Sequence, residues 1–275
     1  MSIKLIALDL DGTTLNSKNE LSERTRNALE RANENGVNVV ISTGRVYTAL
    51  PSVILNVPGI RYAITSNGAH ITDLTTKEII YRDYIAPEAL RRAIEISKEY
   101  NIWIEGFMNN EAFIDADFYN DIKKNGCEFR RAEYVLKTRK PVDNIHQMLL
   151  DNETEIENIN FFFDTVDRLE ELRPVIESIP NGMITSSFKN NLELGGPGTC
   201  KKKALVALME QLGISREELM CCGDAPNDIE MIKYAGLGVA MGNAWGDTKK
   251  YADYVTLTND EDGVAHAIEK FVFGE

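Results

Sequence analysis

Apolar residues fall in short, nearly unbroken runs near both ends of the chain, separated by stretches with helical spacing. Ile3, Leu5, Ile6, Ala7 and Leu8, interrupted only by Lys4, predict a strand buried on both faces. Ser22 then offers an N-cap for a helix with Ala28, Leu29 and Ala32 on one side, and Gly36 sits at its C′ position. Strands are predicted over 37–41 and 62–65. The same alternation returns later. Ala204, Leu205, Leu208, Met209 and Leu212 share a helix face, with Gly213 at its end, and Ser215 and Glu218 form a capping-box pair. A buried strand over 219–222 follows, then a helix with Pro226 in its first turn and Gly236 at its exit, then strands over 237–241 and 254–257. Strands separated by helices imply a parallel sheet with right-handed crossovers.

The middle of the chain has a different pattern. A helix over 87–100 places Leu90, Ala93, Ile94 and Ser97 together, and strands over 103–107 and 111–114 flank the hairpin signal Asn109-Asn110. A strand over 159–163 precedes a helix over 166–179, with Leu169, Leu172, Arg173 and Ile176 in phase. Segments 183–188 and 192–194 flank Asn190-Asn191, a second hairpin signal. Hairpins mixed with helices predict an α+β domain, residues 85–194, inserted into an α/β core made of 1–84 and 195–275.

The length of 275 residues suits two domains, and 43% hydrophobic with 27% charged residues is ordinary for a globular protein. The net charge of −13 argues against a nucleic-acid surface and against nonspecific binding to anionic membranes. It also requires that any anionic substrate meet local positive charge, from a metal ion or a lysine. Met1 leads directly into the first strand, so no signal peptide is visible, and no apolar run approaches the ~20 residues of a membrane span. Cys221 and Cys222 sit in an apolar run, Cys127 and Cys200 are isolated, and none has metal-ligand spacing. A reduced, cytoplasmic protein is expected. His70, His146 and His266 likewise show no ligand spacing.

Candidate chemistry lies where the strands end. Two carboxylates, Asp9 and Asp11, stand at the mouth of the first buried strand. They are costly there unless a divalent cation or a phosphoryl group compensates them, and Gly12 permits the sharp exit. The second strand runs into Thr43, Gly44 and Arg45, and the third into Asn67 and Gly68. The 219–222 strand runs into Gly223-Asp224, with Asn227 and Asp228 just beyond, and Lys201 opens the preceding helix. In open parallel sheets ligands gather at the carboxyl ends of the strands, so these tips fit one phosphate-and-metal site. An EF-hand loop fits poorly: from Asp9 the twelfth position is Glu20, but Gly12 falls two positions early.

Over essentially its whole length the chain resembles phosphatases of the haloacid dehalogenase superfamily, in the Cof-type, type IIB sugar-phosphatase branch. The resemblance rests on DxDGT at Asp9 to Thr13, Thr43 within TGR, Lys201 with Ala204-Leu205 behind it, and GDxxND from Gly223 to Asp228. The segments from Gly238 to Ala244 and from Glu261 to Ala265 also match. It implies a Rossmann-like parallel-sheet core with an inserted α+β type 2 cap. It further implies Asp9 as nucleophile and Asp11 as acid and base. Mg²⁺ would be held by Asp9, the Asp11 carbonyl and Asp224, with Asp228 orienting the shell. Phosphate would be bound by Lys201, Thr43, the N–H groups of Leu10 and Gly44, and Asn227. Arg45, Asn67 and Gly68 are candidate substrate or cap contacts. Lys202 stands where the family usually has glycine, which leaves Lys203 as an alternative to Lys201.

The implied activity is Mg²⁺-dependent hydrolysis of a small phosphorylated metabolite, sugar phosphates being the favoured class. Phosphomutase-type transfer and a non-enzymatic metabolite sensor are the alternatives. Monomer and homodimer remain equally open.

Overall fold

The structure is a computed structural model that describes residues 2–127 and 132–275; Met1, on which the absence of a leader was argued, lies outside them. The first part of the chain forms β1 (Leu5–Leu8), α1 (Glu23–Glu34), β2 (Asn38–Ser42), α2 (Ser52–Leu55), β3 (Tyr62–Thr65), β4 (His70–Asp73) and β5 (Glu78–Arg82). The middle forms α3 (Pro87–Glu99), β6 (Trp103–Met108), β7 (Glu111–Asp115), α4 (Ala116–Asn125), α5 (Ala132–Thr138) and β8 (Arg139–Val142). It continues through α6 (Ile145–Asp151), β9 (Ile156–Phe162), α7 (Val166–Glu177), β10 (Met183–Thr185) and β11 (Asn191–Gly195). The last part forms α8 (Lys201–Leu212), β12 (Leu219–Gly223), α9 (Ile229–Tyr234), β13 (Leu237–Ala240), β14 (Tyr254–Val255) and α10 (Gly263–Ile268).

Two compact units result. The first comprises Met1–Arg45, Leu50–Arg82 and Cys200–Glu275, and the second Val46–Ala49 and Asp83–Thr199. The first unit is built on an eight-stranded sheet in the order β14-β13-β12-β1-β2-β3-β4-β5. Its strands are parallel from β14 to β3; β4 and β5 extend it antiparallel. β1 lies between β12 and β2, with Leu5 opposite both Leu219 and Asn38. This central place explains its continuous apolar run. Leu5, Ala7, Val40 and Ile64 pack on one face against Ala204, Leu205 and Leu208 of α8 and Met231 and Ile232 of α9. α1 buries Ala28, Leu29 and Ala32, and Ser22 caps it by accepting a 3.0 Å hydrogen bond from the Thr25 amide. The β4–β5 extension escaped the sequence pattern because Glu78–Arg82 has only the three half-buried residues Ile79, Ile80 and Tyr81 between charged ends, and His70–Asp73 is mostly polar.

The second unit is an α+β sandwich on a six-stranded sheet, β10-β11-β9-β6-β7-β8, antiparallel except for the β7–β8 pair. Ile104, Ile159, Phe161, Leu192 and Leu194 pack on α3, α6 and α7 through Leu90, Ile94, Leu149, Leu169 and Leu172. Asn109 and Asn110 both adopt positive φ, 52° and 65°, as a type I′ hairpin requires. The second hairpin also forms, β10 pairing antiparallel with β11, but its turn is longer than the signal predicted. Asn191 is the first residue of β11, and its side-chain oxygen accepts from the Ser187 and Phe188 amides at 3.2 and 2.8 Å, organising a longer loop. Arg139 and Glu105 form a buried ion pair here, with Nε and Nη2 at 3.2 and 3.0 Å from one carboxylate oxygen. Among the described residues no helix is long and apolar enough to cross a membrane.

Candidate active site

The site is assembled from strand ends of the parallel sheet in the first unit. The Asp9 amide donates to the Cys222 carbonyl at 3.1 Å, so the ladder runs to the tip of β1 and the Asp9 carboxyl is held there, 6% exposed. The chain must then turn sharply. Gly12 has φ +81°, and a Cβ on it would lie 2.5 Å from a carboxylate oxygen of Asp224, so no other residue fits. Thr13, next in line, donates its hydroxyl to Asp224 Oδ1 at 3.0 Å. Leu10 is buried, its carbonyl accepting from the Leu15 amide at 2.9 Å.

Asp224 and Asp228 follow β12. Asp228 Oδ2 accepts from the backbone amides of Asp224 and Ala225 at 3.0 and 3.1 Å, fixing the loop that carries Asp224. Gly223 allows this, because a Cβ there would lie 2.4 Å from the Asp228 Cβ. Lys201 enters from the start of α8, donating to Asp9 Oδ1 at 2.7 Å and Asp228 Oδ1 at 2.6 Å while only 1% exposed. Lys203 is exposed and Lys202 lies 3.5 Å from Glu230, so Lys201 is the lysine that faces the acids. The helix phase explains the choice: Lys201 lies three and four residues before Ala204 and Leu205, on the buried face.

Carboxylate oxygens of Asp9, Asp224 and Asp228 lie within 4.8 Å of one another. Burial raises the Asp9 pKa to about 7, opposed by Lys201 and reinforced by Asp228 and Asp11. Burial likewise raises Asp224 to about 8, with Asp9 and Asp228 adding repulsion. Burial disfavours the Lys201 ammonium, but Asp228 and Asp9 outweigh it and hold its pKa above the ordinary value. Three carboxyl groups share one ammonium, so full ionisation of the cluster would leave two negative charges to be neutralised by something else. An oxygen-only donor set with unbalanced negative charge fits a hard divalent cation such as Mg²⁺.

The loops after β2 and β3 are tied together. Thr43 Oγ1 accepts from the Arg45 amide at 3.2 Å, the Asn67 amide donates to the Thr43 carbonyl at 3.1 Å, and the Ser66 amide to the Arg45 carbonyl at 2.9 Å. Asn67 has φ 56°, and its side-chain oxygen accepts from Asn227 Nδ2 at 3.0 Å. A Cβ on Gly44 would lie 3.1 Å from that same Asn67 oxygen, and one on Gly68 would lie 2.4 Å from the Cys200 carbonyl. Gly44, Asn67, Gly68 and Asn227 therefore meet in one place. Asp11 stands apart from the three buried acids, bound in bidentate fashion by Arg45: Nε to Oδ2 at 2.7 Å and Nη2 to Oδ1 at 2.5 Å.

Two contributors were not legible in the sequence as site residues. Thr13 anchors Asp224, and Asn243 donates to the Gly12 carbonyl at 2.8 Å. Both lie inside motif segments, and that position was the only available signal. The Arg45–Asp11 pair had none, since 34 positions separate its members.

The profile of the haloacid dehalogenase-like hydrolases matches residues 6–268. The chain belongs to this family. It is 35% identical to the 5-amino-6-(5-phospho-D-ribitylamino)uracil phosphatase YcsE of Bacillus subtilis, over 99% of this chain and 97% of that one. Phosphatase YwpJ of the same organism is 34% identical, over 97% and 99%. Among solved structures, a haloacid dehalogenase-like hydrolase from B. subtilis superimposes with a TM-score of 0.83 at 32% identity, covering 97% of this chain and 99% of that one. A subclass IIB sugar phosphatase of the superfamily gives 0.83 at 27%, covering 98% of both. The protein is thus a haloacid dehalogenase-type phosphatase with the α/β core of that fold.

Proposed function

We propose that this phosphatase hydrolyses small phosphorylated metabolites, sugar or polyol phosphates, through an aspartyl-phosphate on Asp9. The supporting observation is the convergence of Asp9, Asp224, Asp228 and Lys201 in one buried cluster, with Asp11 held separately beside it. Asp9 attacks phosphorus as the ester P–O bond breaks, and Asp11 gives its proton to the departing oxygen. Water then attacks the aspartyl-phosphate, Asp11 takes a proton from it, and the Asp9–phosphorus bond breaks to release inorganic phosphate. Lys201, the Thr43 hydroxyl, the Leu10 and Gly44 amides and Asn227 hold the phosphoryl oxygens. The Thr43 oxygen already accepts from Arg45, leaving its proton for the ligand.

Asp9, Asp224 and the Asp11 carbonyl would hold Mg²⁺. Asp228, whose two oxygens already accept three hydrogen bonds, would orient the site instead. The ion supplies the neutralisation that lets a carboxylate approach a phosphate. We assign residues 85–194 as the inserted cap that selects the leaving group. Four free cysteines support a cytoplasmic setting.

Three relatives are named for a phosphate carried on a ribityl chain, which shares with sugar phosphates a polyhydroxylated alkyl leaving group. The test is phosphate release with Mg²⁺ from a panel of sugar phosphates, ribitol phosphate and 5-amino-6-(5-phospho-D-ribitylamino)uracil, with Asp9→Asn alongside. Release by the native chain alone supports the reading. Release from no substrate, equal release by the variant, or an isomeric sugar phosphate as sole product would overturn it.

A further inference from the structure

Asp11 is the one site carboxylate bound outside the buried cluster, and how it is bound is informative. Its side chain is 38% exposed, whereas the arginine gripping it is only 9% exposed. Arg45 is also fixed through its backbone: its amide donates to Thr43 Oγ1, and its carbonyl accepts from the Ser66 amide. The guanidinium is therefore the anchored partner and the carboxylate the movable one. A planar guanidinium holding both oxygens fixes the orientation of a carboxylate as well as its position, which a single ammonium cannot do.

We infer that Arg45 is a positioning residue for Asp11, setting the direction in which this carboxyl exchanges its proton with the leaving oxygen. The inference rests on the acid and base role proposed for Asp11 and extends it to a second residue. Arg45 then acts on the chemical step through Asp11 rather than by binding substrate.

The consequence is a dependence on the leaving group. An alkyl ester leaves as a strongly basic alkoxide and needs the proton, whereas a para-nitrophenyl ester leaves as a stable phenolate and does not. With the best alkyl phosphate of the panel, Arg45→Ala should lower kcat/KM, which reports transfer to Asp9 and not the later hydrolysis, by about 10–100-fold, less than the loss of a whole general acid. With para-nitrophenyl phosphate the loss of kcat/KM should stay below about threefold, because the leaving phenolate needs no proton. Arg45→Lys keeps the charge without the two-pronged grip and should follow the same pattern, so it decides the matter if Arg45→Ala does not fold.

The decisive comparison is a cycle with Asp11→Asn. Once Asp11→Asn has removed the acid, adding Arg45→Ala should cost nothing more on the alkyl ester. Multiplying losses, an equal loss of kcat/KM on both esters, or faster turnover of the alkyl ester by Arg45→Ala would each overturn the inference. Full alkyl-ester activity in Asp11→Asn would instead remove the role proposed for Asp11 itself.

Discussion

Each unit of the chain buries charge, but on different terms. In the six-stranded sheet, Glu105 and Arg139 are one acid and one base, 1% and 7% exposed, joined by two hydrogen bonds, with a third from Arg139 to Thr138. Burial works against the Arg139 guanidinium, yet Glu105 and the nearby Tyr134 hold its pKa above the ordinary value. Within this pair, one charge answers the other. In the eight-stranded sheet, Asp9, Asp224 and Asp228 have Lys201 as their one cationic partner among the described residues, and two of the three acids are pushed far above the usual carboxylate range. A balanced buried pair is explained by structure alone. An unbalanced one signals that something else completes it, and here a cation and a phosphoryl group fit that need.

Topology accounts for the difference. Parallel strands end at one edge, so β1, β2, β3 and β12 deliver their loops together. Antiparallel strands alternate direction and cannot gather as many.

The largest test of this contrast is Asp9→Asn. Phosphate release should fall by at least about a thousandfold in steady-state assays, while thermal unfolding shows an intact fold. Next comes Lys201→Met, which removes a positioned donor and should lower kcat by about 100–1000-fold, roughly 2.7–4 kcal/mol of barrier.

The balanced pair should respond in stability instead. Arg139→Ala strands the buried Glu105 carboxylate and should destabilise the chain by about 3–5 kcal/mol in denaturant unfolding. The Glu105→Leu, Arg139→Met double variant should recover most of that loss. If the double variant stayed as unstable as the single one, the pair would be more than a closed charge account.

The smallest effect concerns pH. Asp9 and Asp224 titrate near 7 and 8 in the folded chain, against an ordinary value of 3.8. Between these values the native state holds more protons than the unfolded state. Their contribution to stability is therefore full below the ordinary value and is lost as pH rises through 7 and 8. In chelator, the Tm of the native chain should fall relative to Asp224→Asn across that window, and Mg²⁺ should restore it most at the alkaline end.

Much of this site was legible because its chemistry sits at the ends of apolar runs. The β1 run pointed to Asp9, the Leu219–Gly223 strand to Asp224, and the phase of Ala204 and Leu205 to Lys201 over Lys203. The Ser22 cap and the Asn109-Asn110 turn were local signals and appeared where expected. The rest depends on contacts between distant segments. Asp11 meets Arg45 only because β1 and β2 are neighbours, and Thr13 meets Asp224 only because β1 also borders β12. The Asn190-Asn191 signal found its hairpin but misplaced the turn for a related reason: Asn191 begins β11, and its side chain bonds the preceding loop.

The most direct test of the central claim is rapid acid quenching during turnover of the preferred ester, followed by mass-spectrometric peptide mapping. One phosphoryl group should appear on the peptide containing Asp9 and be absent from the Asp9→Asn protein. A phosphoryl group carried on another residue, or phosphate release by Asp9→Asn at the native rate, would contradict the account.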